Sequence, residues 1–103
     1  EKQKVLHMAE QVDYQDGQII SRTLVQNSKL SMTLFAFEKD EEISTHAAGG
    51  DAMMLCLEGE GVITNEGVPH TVQQGESFSF RPGAMHKVAA VTRFKMMVMI
   101  VRN

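Results

Sequence analysis

The chain has 103 residues, 43% of them apolar and 22% charged, with a formal net charge of −3. That length fits one globular domain. A mildly acidic chain with scattered Lys and Arg lacks the basic patch that nucleic acid needs and the polybasic cluster of a membrane anchor, and no apolar run approaches the roughly 20 residues that span a bilayer.

Residues 1–17 are polar and weakly patterned. Val5, Leu6, Met8 and Val12 fit a short helix or a strand docked on a sheet edge, so this segment is read as an irregular N-terminal arm. The chain begins at Glu1 rather than methionine, which leaves room for a trimmed upstream segment, and no signal-peptide pattern is read. From residue 18 to residue 103 the pattern is β. Gln18–Val25 reads as a strand and "QNSK" as a turn. The next strand alternates Leu30, Met32, Leu34 and Ala36 against Ser31, Thr33, Phe35 and Phe37, until "KDEE" breaks it. A further strand, Asp51–Glu58, follows the Gly49-Gly50 break. Gly59 and Gly61 bend the chain into "VITN", and "NEG" (Asn65–Gly67) closes a hairpin. "VPHTVQ", "ESFSF", "HKVAAV" and "FKMMVMIV" complete the series, with "RPGAM" as a rigid Pro-Gly connection. About nine short strands, at turn spacings of roughly 8–12 residues, predict a single all-β sandwich or barrel.

Two segments, Met53–Leu57 and Met96–Val101, are apolar on both faces. An antiparallel sheet that faces water shows alternation, so these strands need cover on both sides. A small barrel covers only the inner face. The outer face requires a second layer or another subunit, and a homodimer is expected. Eight methionines fit such a core or interface, or alternatively a Met-lined ligand pocket. One cysteine, Cys56, excludes an internal disulfide and points to a reducing, cytoplasmic setting.

Chemistry-bearing residues concentrate around two histidines. His46 precedes the Asp51–Glu58 strand, at spacing to Ala48, Ala52 and Gly59. His86 follows the Pro-Gly connection, at spacing to Gly75, Arg81, Gly83 and Ala90, with Pro82 beside Arg81. These two linked stretches resemble the paired motifs of the cupin superfamily, in particular its small, single-domain, RmlC-like bacterial members. The resemblance implies a double-stranded β-barrel of the jelly-roll type, commonly a homodimer. Many cupins hold a divalent metal inside the barrel through three histidines and a glutamate and act as oxygenases, isomerases or lyases. Others are metal-free binding or regulatory modules.

The family's metal positions fall here on His46 and His86, which match, and on Ala48 and Ala52, which do not. Alanine has no donor atom. Two neutral imidazoles without a carboxylate hold a hard divalent ion weakly. A divalent transition metal is therefore expected to be weakly bound or absent, unless Cys56, Asp51 or Glu38 rebuilds the site. The period of two along a strand turns Asp51 away from Ala52 but keeps Cys56 on the same face.

These residues support a small-molecule pocket formed by His46, Ala48, Ala52, Met54, Cys56 and His86, with the histidines as polar anchors. The alternatives are a metal-dependent cupin enzyme built on His46 and His86, and a purely structural role with a filled barrel. Set against the pocket reading, His46 and His86 form a hydrogen-bonded pair, Cys56 is a small buried apolar residue, and Asp51 is an exposed or capping residue. His7 and His70 read as surface residues. Arg81 reads either as an exposed ion-pairing residue or as an anion-binding group at the barrel mouth.

Overall fold

The computed structural model describes residues 3–102. A 3-10 turn at Met8–Glu10 precedes nine strands: β1 (Ile19–Gln26), β2 (Leu30–Phe37), β3 (Glu42–Ala47), β4 (Asp51–Glu58), β5 (Glu60–Asn65), β6 (Val68–Gln73), β7 (Ser77–Phe80), β8 (Met85–Ala90) and β9 (Phe94–Val101). Strands β1-β2-β9-β4-β7 form one sheet in that order, and β3-β8-β5-β6 form the other. The hairpin expected at "NEG" is present, with Glu66 and Gly67 both at positive φ (48° and 82°), the geometry that a two-residue hairpin requires.

The two sheets stack as a jelly-roll β-sandwich and do not close into a barrel. The neighbouring edges belong to different sheets and carry no ladder between them. Strand β3 had no sequence signal of its own. Its burial runs exposed at every position except Ile43, so it shows neither alternation nor an apolar run.

Between the sheets lies one core, in which Phe37, Met54, Cys56, Ile63, Phe80, Phe94 and Met96 are buried. Side chains alternate along a strand, which sends Leu34 and Ala36 of β2 to the opposite face. There they form a second cluster with Val12, packed by Met8, Tyr14, Leu57 and Met97. The arm thus lies over the outer face of the five-stranded sheet, not along a sheet edge, and supplies part of the cover that the two-sided strands need. Burying the Val12 side chain contributes about 2 kcal/mol.

Polar contacts pin the arm to the same face. Tyr14 donates its hydroxyl proton to Glu58 Oε2 at 2.5 Å. Its ring carries Lys95 Nζ at 4.9 Å and the Arg93 guanidinium at 5.1 Å from the centroid. Lys95 Nζ also donates to the Ala9 carbonyl. Burial, and then the Glu58 carboxylate, push the Tyr14 phenol well above its ordinary range.

Beyond the arm the outer face stays open. Met99 is the register partner of both Met32 and Met53, so three thioethers form one row across β2, β9 and β4. Met53 is 47% exposed and Val101 46%.

The bend between β4 and β5 depends on glycine twice. Gly59 has φ +80°, and a Cβ there would collide with the Arg93 carbonyl oxygen. A Cβ on Gly61 would come within 2.9 Å of the Phe94 ring. No helix among the described residues is long and apolar enough to cross a membrane.

Candidate functional site

Strands β3 and β8 are antiparallel neighbours, and their register sets His46 opposite His86. The ring centroids are 4.2 Å apart, edge to face at 61°. β3 is an edge strand with a register shift between Ile43 and His46, and His46 is exposed. β8 lies inside its sheet, and His86 is only 7% exposed.

The two rings satisfy Nδ1 with backbone, not with each other. His46 Nδ1 bonds the Ser44 carbonyl at 3.0 Å, and His86 Nδ1 bonds the Ala84 carbonyl at 3.1 Å. A carbonyl oxygen only accepts, so each Nδ1 carries the proton. In the neutral ring the lone pair is then at Nε2. Phe80 stacks on His86 with centroids 4.1 Å apart at 27°. Burial lowers the His86 pKa below its ordinary value, the bond to Ala84 opposes this, and nearby His46 adds to the lowering.

The histidines border a cavity of about 140 Å³ between the sheets. Phe35, Ile43, Met54, Phe80, Val88, Met96, Val98 and Ile100 supply most of its wall, and Ala47, Ala48, Gly49 and Ala52 the rest. Among the described residues, His46 and His86 are the only ones lining it whose side chains carry nitrogen or oxygen. Five of the six residues expected from the sequence line this space: His46, Ala48, Ala52, Met54 and His86.

Cys56 does not line it. It faces inward as its parity demands, but it lies in the packed core at 1% exposure. Its thiol donates to the Glu58 and Gly59 carbonyls at 3.6 and 3.5 Å. Burial raises its pKa, so this is an inert thiol rather than a ligand or nucleophile.

The sequence reading missed the aromatic walls, Phe35 and Phe80, and the β9 residues Val98 and Ile100. Their alternation was visible, but which face points inward follows only from the partner sheet. His70 also differs from its expected surface role. It is partly buried, with its ring 4.8 Å from Phe78. His7 is exposed. Arg81 is exposed and lines a separate polar groove with Asn65, Glu66 and Ser79.

The residues present do not fit the divalent ion implied by the resemblance. Ala48 and Ala52 leave two neutral imidazoles and no carboxylate at the cavity. Among the described residues, no group of three or more His, Cys, Asp or Glu side chains is placed to hold a metal. The three residues expected as substitutes, Asp51, Glu38 and Cys56, are absent from the cavity lining. Asp51 is exposed, in register with Val101. Glu38 accepts both Arg93 Nε at 2.7 Å and Nη2 at 3.1 Å. Cys56 lies in the core.

A family model described as "Cupin domain" matches residues 33–102. Among solved structures, a conserved protein of unknown function from Streptococcus pyogenes is similar over 100% of this chain and 90% of its own, at 35% identity and TM-score 0.95. A cupin superfamily protein from Desulfitobacterium hafniense covers 100% of this chain and 94% of its own, at 25% identity and TM-score 0.94. A Cupin 2 conserved barrel domain protein from Leptotrichia buccalis is 41% identical over 91% of this chain and 46% of its own, at TM-score 0.88. No curated protein matches the sequence. The two sheets, the motif spacing and these matches together make the chain a member of the cupin family.

Proposed function

We propose that this cupin is a binding module that holds a small, largely apolar molecule between its sheets, with His46 and His86 as polar anchors. The observation that carries this reading is the cavity itself: an apolar wall with two convergent imidazoles is the usual form of a small-molecule site. The alternative, a metal-dependent oxygenase, isomerase or lyase, has less support, because the donor set stops at two neutral nitrogens. The module works in the cytoplasm as a homodimer. The buried free thiol of Cys56 supports the reducing setting, and the Met32–Met99–Met53 row, half-buried at Met32 and Met99 and exposed at Met53, supports the second subunit.

A thermal-shift screen of one-ring compounds on wild type and Ala52→Leu tests the binding function. Leucine at position 52 fills the cavity from its own wall. Ligands should raise the melting temperature of wild type and leave the variant unmoved. A screen in which no compound stabilises wild type, or in which both proteins respond alike, overturns it.

A further inference from the structure

We infer that the occupant of the cavity is an uncharged, one-ring molecule whose hydroxyl donates a hydrogen bond to a histidine Nε2, such as a phenol or cyclic alcohol, and that carboxylates are rejected. This deepens the binding reading and rests on it.

Size comes first. The cavity holds about 140 Å³, close to an engineered apolar cavity of roughly 150 Å³ that admits benzene. One six-membered ring fills it, and a larger molecule would extend past the exposed His46 at the mouth. Shape agrees. Phe80 and His86 already stack at 4.1 Å, and Phe35 forms part of the wall, so flat faces line the space.

Polarity then sets the chemistry. Both Nδ1 atoms are committed to backbone carbonyls, which leaves Nε2 of each ring as an acceptor. The Met54 and Met96 thioethers in the same wall are at most weak acceptors. An occupant that satisfies this lining has to bring the proton.

Charge excludes the acids. Among the described residues, no Lys, Arg, Asp or Glu lines the cavity. A carboxylate entering it loses its hydration and meets no cation, which is strongly unfavourable. Arg93, Lys95 and Arg102 are absent from the lining and engaged elsewhere. Arg93 is forked on Glu38, and Lys95 donates to Ala9. Arg102 lies beside Gly50 and donates to Ser31 Oγ at 3.1 Å.

Four probes test the inference by calorimetry at pH 8: phenol, cyclohexanol, benzene and benzoate. Phenol and cyclohexanol should bind, phenol about tenfold more tightly than benzene, the factor expected of one net hydrogen bond. Benzoate should not bind. His86→Phe should erase the preference for phenol over benzene. Should that variant fail to fold, His46→Phe reports on the exposed ring in the same way. If none of the probes binds, the binding reading itself fails. If benzoate binds as well as phenol, binding stands and the uncharged class is wrong, with Arg102→Gln identifying the cation responsible. If phenol and benzene bind equally, the imidazoles are not the acceptors and the inference is overturned.

Discussion

His46 and His86 are register partners on neighbouring strands, with ring centroids 4.2 Å apart, yet one is exposed and the other only 7% exposed. That asymmetry gives the pair distinct roles. In the proposed binding site His86 would be the deep anchor and His46 the residue at the mouth. It also makes the stability of the protein sensitive to pH through the buried ring.

The sign follows from the direction of the His86 shift. Its folded pKa lies below 6.5, so the unfolded chain binds the proton more readily. Stability is fully present above about pH 6.5 and falls as pH drops below it, levelling off once pH passes the folded pKa. Urea unfolding at a series of pH values should show this fall, and His86→Phe should flatten it. A folded pKa at or above 6.5 in an NMR titration contradicts the expectation.

The bend at Gly59 offers a sharper structural test. Gly59→Ala places a Cβ against the Arg93 carbonyl at a residue with positive φ. Both strain and collision act, so a loss of about 3 kcal/mol or more is expected. Gly67→Ala, at φ +82° but with open space around it, pays only the backbone strain, about 1–2 kcal/mol. Equal, small losses in denaturant unfolding would show that the bend is not fixed by packing.

These positions also show what was legible in the sequence. Turn glycines, the hairpin at "NEG" and most strands were visible because alternation and punctuation are local properties. Strand β3 was not, since an edge strand exposed on nearly every residue leaves no pattern. Parity placed Cys56 inward but says nothing of depth, so it could not tell the cavity wall from the core beyond it. Likewise the resemblance to the cupin motifs implied that His46 and His86 share a site, while the walls from Phe35, Phe80, Val98 and Ile100 depended on how the two sheets stack. The arm was unreadable because Val12 finds its partners, Leu34 and Ala36, only after the sheet has formed.

Cys56 should behave as a core residue. Thiol reagents should label it slowly in the native state and rapidly in urea. Cys56→Ala should cost about 1–2 kcal/mol through lost packing. Cys56→Ser places a hydroxyl near the same carbonyls and should be tolerated about as well. Rapid native labelling would place the thiol at the surface.

The Met32–Met99–Met53 row should be covered by a second copy of the chain. Met53→Glu and Met99→Glu put charge into that row without touching the cavity. Sedimentation should show a dimer for wild type at micromolar concentration and a monomer for either variant, with unchanged circular dichroism. A monomeric wild type contradicts the proposal.

Ala48 and Ala52 mark where the cavity lacks donors. Ala48→His with Ala52→Glu supplies a third imidazole and a carboxylate, a set suited to first-row divalent ions. The double variant should gain binding of manganese, nickel or zinc by calorimetry, with a raised melting temperature in metal. The added volume should lower stability without metal by about 1–3 kcal/mol. No gain in metal affinity in a folded variant would show that the two alanines do not face the histidines as a family site requires.

The proposed function requires that the paired imidazoles accept hydrogen bonds from a neutral ligand and do not serve as a metal centre. Long-range proton–nitrogen NMR of His46 and His86 reads this directly. Both rings should carry the proton on Nδ1, with a shift of His86 Nε2 on addition of phenol and no change with micromolar zinc. Zinc-induced shifts at both Nε2 atoms, with no response to phenol, would contradict it.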